Sequence, residues 1–120
     1  DPEYLLQSDP DCVLILGEDW ENPESMRLGT DITEDMVQGI MDEYCARPGW
    51  NNMKAVQEGN VYAISNGLTH DIFSFYCFQQ IAKTVWPDEF VELDPDARLQ
   101  EFFDRFMPIE LTGVWFYKMK

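Results

Sequence analysis

The stretch at residues 47–64 constrains the fold of this chain more than any other. A Pro-Gly pair at residues 48–49 ends whatever helix precedes it, because proline lacks an amide donor and glycine frees the backbone. Asn51 or Asn52 can then cap a short helix, and Gly59 is its expected stop. A breaker, a helix and a stop therefore follow one another within a dozen residues and lead directly into an apolar run.

That apolar run, residues 61–64, shows no alternation of apolar and polar side chains, and neither does a second run at residues 12–16. Continuous apolar runs of this length are typical of strands covered on both faces. A helix that leads into such a strand is the unit of a parallel α/β sheet. We therefore predict an α/β fold, part of a Rossmann-like three-layer lobe with a small parallel sheet flanked by helices, and we expect residues 12–16 to be a central strand.

Two strands are too few for a sheet that stands alone. The sequence leaves two ways to complete it. Either residues 114–117 add an edge strand or a packed extension, or residues outside this chain complete the sheet.

Aspartate-proline pairs mark the first and the last helix. Asp1 and Pro2 have the residue types of an N-cap and a first helical position, as do Asp94 and Pro95. We predict that the first helix ends at residues 9–10, and that the last one, with an aromatic stripe, ends before Pro108.

Two longer helices are predicted between the strands. Asp31 and Glu34 resemble a capping box, which opens an amphipathic helix that runs to about Ala46. Asp71 is the expected cap of a second helix over residues 72–86. Because apolar residues wrap more than half of that helix, it must be heavily buried, with its aromatic side chains in the core, or lie against something absent from this chain.

The charge balance is strongly acidic, with 23 acidic residues against 8 basic ones and a formal net charge of −15. Such a surface repels phosphate backbones, so nucleic acid and anionic lipid are poor candidate partners. Cationic ligands and basic protein surfaces remain compatible with it, and so does a purely solvating role for the charge.

No catalytic motif is present, whether a nucleophile elbow, a zinc-protease helix or a nucleotide-binding glycine loop. The three cysteines are widely spaced and lie in apolar patterns, so we predict ordinary buried thiols. The chain has one histidine, His70, which cannot build a multi-histidine metal site. We predict no enzyme activity, no cofactor and no metal site.

Ligands of parallel α/β sheets gather beyond the carboxyl ends of the strands. Two loops meet that description, residues 18–20 and residues 66–70. The candidate ligand-binding residues in these loops are Trp20, Asn66, Thr69 and His70. Local packing is the alternative for Trp20, and a local backbone hydrogen bond is the alternative for His70.

Four blocks of the sequence resemble one family in the same order. They are PEYLL at residues 2–6 followed by DPD at 9–11, RPGW at 47–50 followed by KAVQEGNVY at 54–62, IAK at 81–83 followed by WPDEF at 86–90, and LTGVWFY at 111–117. The family is the substrate-binding proteins of ABC importers for ferric siderophores, haem and cobalamin.

This resemblance implies two α/β lobes joined by a rigid helix, with ligand bound in the cleft between them. The chain, residues 1–120, would be a single domain or fragment that corresponds to the second half of the C-terminal lobe. Residues 65–70 match a cleft-lining loop. Glu3 matches a surface glutamate that docks on arginines of the membrane permease, and its position at a helix start makes it exposed. The alternative for Glu3 is a favourable first-turn acid with no partner role.

The implied function is non-catalytic capture of a metal chelate, which is an iron-siderophore, haem or a cobalamin-like complex, and delivery to an ABC permease. The implied location is extracytoplasmic, either periplasmic or as a membrane-anchored lipoprotein. The alternative is a stand-alone acidic flavodoxin-like interaction or regulatory domain, and a third reading is a fragment of an enzyme. A homodimer of the isolated chain is one way to cover its apolar helix.

Overall fold

The computed structural model describes residues 1–22 and 24–120, without the side chain of Thr69. Its regular elements in chain order are α1 (Pro2–Ser8), β1 (Val13–Gly17), α2 (Glu34–Cys45), α3 (Lys54–Gln57), β2 (Val61–Ser65), α4 (Ser74–Val85), α5 (Pro95–Phe106) and β3 (Phe116–Lys118). Short 3-10 turns lie at Trp50–Asn52 and Gly67–Thr69. Within the described residues, the helices are too short or too polar to cross a lipid bilayer.

The three strands form one mixed sheet in the order β1-β2-β3. Strands β1 and β2 are parallel, from Val13 opposite Val61 to Gly17 opposite Ser65, whereas β3 is antiparallel to β2. The predicted α/β class is confirmed. The sheet is not purely parallel, because the edge strand foreseen near residues 114–117 runs against β2.

Helices cover both faces of the sheet, which makes three layers. On one face, strand residues such as Ile15 and Ala63 belong to a core cluster with α1, α2, α3 and Trp50. On the other face, Ile64 clusters with residues of α4 and α5. In β2, Val61 and Ala63 belong to the first cluster and Ile64 to the second, and all five residues of the strand are buried, as its unbroken apolar run predicts.

Strand β1 departs from the prediction of a central strand. Among the described residues it pairs with β2 on one edge and with no strand on the other. Its face toward α4 is incompletely covered, because Leu14 is half-buried and Leu16 is 48% exposed. The apolar composition of residues 12–16 therefore exceeds what the packing of this chain alone requires.

The proline-containing caps form as predicted. The Asp1 carboxylate accepts a hydrogen bond from the amide of Glu3 at 3.0 Å, and the Asp94 carboxylate accepts one from the amide of Ala97 at 3.0 Å. Each bond satisfies an amide that the first turn of a helix leaves without a backbone partner.

Two predicted caps were wrong. Thr33, not Asp31, caps α2, because its hydroxyl accepts the hydrogen bond from the Met36 amide at 3.4 Å. Neither Asn51 nor Asn52 caps α3. The amide of Lys54 instead donates to the carboxylate of Asp9 at 2.8 Å, so the cap comes from a residue 45 positions away.

Helix α4 begins two residues later than predicted, at Ser74, and ends at Val85. The Asp71 carboxylate still accepts a hydrogen bond from the Phe73 amide at 2.7 Å, one residue ahead of the helix. Tyr76, Cys77 and Gln80 are buried against the core. The expectation that the aromatic residues would all be core was wrong, because Phe78 is 67% exposed and Trp86 is 57% exposed.

The cysteines are free thiols. Cys77 is buried, whereas Cys12 and Cys45 are half-buried, so the predicted burial is complete at one position only. Burial raises the pKa of the Cys77 thiol, and burial together with the nearby charge of Asp42 raises that of Cys45. Both shifts disfavour the thiolate, which is the reactive form.

Candidate functional site

The parallel register of β1 and β2 brings the two loops of the predicted site together. Gly17 lies opposite Ser65, so Glu18 and Asn66 leave the sheet side by side. The amide of Asn66 donates to the carbonyl of Gly17 at 2.7 Å, which extends the sheet pairing by one step. The carboxyl ends of these strands are therefore a single edge, as expected for a ligand site of this class of fold.

Glu18 links the two loops at this edge. Its Oε2 accepts a hydrogen bond from the indole Nε1 of Trp20 at 3.1 Å and one from Nδ2 of Asn66 at 3.5 Å. The residue is half-buried. The amide of Trp20 also donates to the carbonyl of Glu18 at 2.8 Å, which makes a tight local turn. The indole is thereby held close to the strand end by its own loop.

Beside these loops lies an open groove of about 310 Å³. Its lining combines residues 28–30 with Ser65, Gly67 and Trp115, and its charged members are Glu18, Asp19 and Asp31. No lysine or arginine is among the described residues that line it. The groove is therefore open to solvent, and its charged side chains are all acidic.

Asp19 is neutralised locally. Its Oδ1 accepts from Arg27 at 2.5 Å in an ion pair whose side chains are partly exposed. No ion pair within the described residues includes Glu18. Glu18 therefore differs from Asp19 in having two neutral hydrogen-bond donors and no cation bonded to it.

A backbone bridge supports the rear of the groove. Gly29 and Val114 exchange two hydrogen bonds, at 2.9 and 3.1 Å, and the Ser65 amide donates to the carbonyl of Trp115 at 2.9 Å. Gly113, at φ +81°, precedes this bridge, and a Cβ at that position would stand 2.0 Å from the carbonyl oxygen of Gly29. Only a glycine fits so close an approach of two backbones.

The predicted site residues are placed as follows. Trp20 is 41% exposed, and Asn66 is half-buried. Both donate a hydrogen bond to Glu18. His70 is exposed, and its amide donates to the carbonyl of Gly67 at 3.2 Å. The side chain of Thr69 lies outside the described part of the structure. A contact of any of these residues with a ligand stays a prediction.

Glu18 itself was not among the residues singled out from the sequence. The signal that could have found it is its place as the first residue after the apolar strand, directly behind Gly17. Its role depends on an indole two residues away and an amide 48 residues away. Sequence spacing does not show the second of these.

Two depressions of about twice the volume of this groove lie elsewhere. One, of about 580 Å³, lies between α1 and the turn at residues 47–50, and the other, of about 660 Å³, lies beside the start of β1 and β2. Glu3 is exposed on α1, whose leucines pack in the core cluster of α2 and α3. Among the described residues, no group of three or more histidine, cysteine or acidic side chains is arranged to hold a metal ion.

Comparison with known proteins relates the chain to one class of binding protein. No family profile matches the chain, and a search of curated proteins found no match. Among solved structures, the chain is similar to the TroA-like periplasmic binding protein FepB from Veillonella parvula. The two are 40% identical with a TM-score of 0.96, and the similarity covers 100% of this chain and 35% of that protein.

The chain therefore spans about a third of the length of the protein that it matches. The fold expected from the sequence is confirmed, because it matches that of a TroA-like periplasmic binding protein along the entire chain. The four sequence blocks and this structural similarity agree in relating the chain to periplasmic binding proteins.

Proposed function

We propose that this chain is part of the substrate-binding protein of an ABC importer for a metal chelate. The observation that carries this proposal is the similarity to a periplasmic binding protein, at 40% identity and a TM-score of 0.96 over the whole chain. The four sequence blocks agree with it. The protein acts without catalysis: it captures its ligand by closing a cleft and then docks on the permease.

Within such a protein, the chain forms the second half of the C-terminal lobe. Two structural features support this assignment. The outer edge of β1 carries no strand among the described residues, and Leu16 beside it is exposed. Helix α4 and its C-cap residue Trp86 present an outward apolar face in which Phe78 is 67%, Trp86 57% and Val85 45% exposed. Further strands and helices of the same lobe would bury both surfaces, which explains their apolar composition.

The ligand binds over the carboxyl ends of β1 and β2, where the loops that carry Trp20 and His70 meet. Trp20 offers an apolar ring surface, and Asn66, Thr69 and His70 offer polar contacts around it. The second lobe supplies the opposite wall of the cleft. Ligand contacts are non-covalent, so affinity depends on how well the closed cleft excludes water.

The partner is an ABC permease, and Glu3 is the docking residue on this lobe. Its carboxylate is exposed in the first turn of α1, where the helix dipole favours a negative charge. An arginine of the permease is the complementary group. This role places the protein outside the cytoplasm, in the periplasm or anchored to the membrane as a lipoprotein.

The chelate class is an iron-siderophore, haem or a cobalamin-like complex. The test is the thermal unfolding of the full-length protein in the presence of each. A ligand at about a hundred times its Kd stabilises the native state by about 2.7 kcal/mol, which is an upward shift of several degrees. Stabilisation by one chelate class supports the proposal. An unchanged melting temperature with all three classes contradicts it.

A further inference from the structure

We propose that Glu18 determines the charge of the ligand that this protein accepts, by selecting neutral or cationic chelates against anionic ones. This inference rests on the function proposed above and deepens it. It assigns a specificity-determining role to a residue that lies between the two ligand-binding loops and bonds to both of them.

The position of the Glu18 carboxylate is fixed by two neutral groups. The indole of Trp20 and the amide of Asn66 both donate to Oε2, at 3.1 and 3.5 Å. Neutral donors orient a carboxylate without cancelling its charge. The carboxylate is therefore held in one place at the strand ends while it keeps its negative potential.

The second oxygen is directed toward the opposite loop. Oε1 lies 4.0 Å from the position that a Cβ would take on Gly67, a residue without a side chain to cover it. Glu18 and Gly67 both line the groove at this edge. The carboxylate is thus part of the wall that a ligand over β1 and β2 would approach.

The charges around Glu18 do not reverse this potential. The nearby cation, Arg27, is bonded to Asp19 at 2.5 Å. The remaining charged residue of the groove, Asp31, is also acidic, and the chain as a whole carries a formal net charge of −15. An anionic chelate meets repulsion from this wall, whereas a cationic one meets attraction.

The experiment compares three ferric chelates of different charge on the full-length protein and on its Glu18→Gln variant. The probes are ferrioxamine B, which is singly positive, ferrichrome, which is neutral, and ferric enterobactin, which is triply negative. Glutamine keeps the size of the side chain and an oxygen that accepts the Trp20 hydrogen bond. Removal of one charge near the ligand changes the affinity of a singly charged chelate about fivefold.

The expected changes have opposite signs. Affinity of the variant for ferrioxamine B falls about fivefold, affinity for ferrichrome stays the same, and affinity for ferric enterobactin rises about a hundredfold because three charges interact. Both charge-dependent changes shrink at high salt. Glu43→Gln is the matched control, since it removes one exposed charge on α2 and changes none of the three affinities.

The outcomes separate this inference from the proposed function. Loss of affinity for all three chelates in Glu18→Gln shows a structural role in loop position and overturns the charge selection. Equal affinities in variant and wild type, or a wild-type preference for ferric enterobactin, overturn it as well. Failure of the wild-type protein to bind any metal chelate overturns the proposed function itself, and this inference with it.

Discussion

The hydrogen bonds between α4 and α5 give the most quantitative prediction from the structure. The hydroxyl of Tyr76 donates to Oδ1 of Asp96 at 2.8 Å, and Nε2 of Gln80 donates to the same oxygen at 3.1 Å. Tyr76 is 2% exposed and Gln80 is 5% exposed, so both donors sit in the core between the two helices. The change Tyr76→Phe removes one hydrogen bond and leaves the ring packing in place.

The expected cost follows from the charge of the acceptor. A hydrogen bond to a charged group contributes about 1.5–3 kcal/mol to stability, so we expect Tyr76→Phe to lower the free energy of unfolding by about 2 kcal/mol. With a urea m-value of about 2 kcal/mol per molar, the unfolding midpoint falls by about 1 M. Urea denaturation followed by far-UV circular dichroism measures this shift.

The same residue predicts a pH dependence. Burial, reinforced by the hydrogen bond to Asp96, raises the pKa of Tyr76 above its ordinary value. The unfolded chain loses this proton above about pH 10 while the native state keeps it, so the native state is destabilised by about 1.4 kcal/mol per pH unit from there upward. Below that pH the stabilisation is complete. The phenylalanine variant lacks this titration, so its deficit relative to wild type shrinks to less than about 1 kcal/mol at pH 11.

Tyr4→Phe is the matched control. Tyr4 is 72% exposed, and loss of its hydroxyl changes stability by less than about 0.5 kcal/mol. If Tyr76→Phe shifts the midpoint no more than Tyr4→Phe does, the hydrogen bond to Asp96 does not stabilise the fold. If the difference between wild type and Tyr76→Phe stays constant from pH 8 to about pH 11, the pKa of Tyr76 is not raised in the native state.

Two further substitutions test the groove and the docking surface. Gly113→Ala places a Cβ 2.0 Å from the carbonyl oxygen of Gly29 and breaks the bridge between Gly29 and Val114. We expect it to lower the free energy of unfolding, measured by urea denaturation, by about 3 kcal/mol or more. The control is Gly39→Ala in α2, whose Cβ meets nothing within 4 Å and which is expected to raise the free energy of unfolding by about 0.5–1 kcal/mol. A Gly113→Ala variant as stable as wild type would contradict the geometry. Glu3→Ala is expected to lower chelate uptake by cells and to leave the affinity of the purified protein unchanged, and undiminished uptake would reject the docking role.

Features that depend on neighbouring residues in the chain were predicted well from the sequence. Asp94 and Pro95 act within one helical turn, so residue type and spacing identified the cap of α5 correctly. The unbroken apolar run at residues 61–64 likewise identified β2, because burial on both faces leaves no position for a polar side chain.

Features that depend on distant residues were missed. The Asp9 carboxylate that caps α3 belongs to the end of α1, and two asparagines nearer in sequence offered the same chemistry. Thr33 and Asp31 both have cap-forming side chains, and the local pattern with Glu34 favoured the wrong one. In each case several residues of equal capping ability compete, and tertiary packing selects among them.

At the candidate site, too, features that depend on local sequence were predicted and those that depend on distant residues were missed. The strand-end rule located both loops, because it needs only the order of the elements. It did not identify Glu18 as the residue that joins Trp20 to Asn66, since that link needs the register of β1 on β2. The sequence predicted that α4 is buried or lies against an absent partner, but it did not identify Phe78 as an exposed residue, because composition does not show which face of a helix a missing partner covers.

The central claim is that the carboxyl ends of β1 and β2 form half of a chelate-binding cleft. Hydrogen exchange of the full-length protein, with and without a saturating ferric chelate, tests it most directly. We expect slower exchange at the backbone amides of residues 18–22 and 66–70 when ligand is bound, and unchanged exchange in α2. If a bound chelate protects other segments and leaves these two loops unchanged, the cleft lies elsewhere.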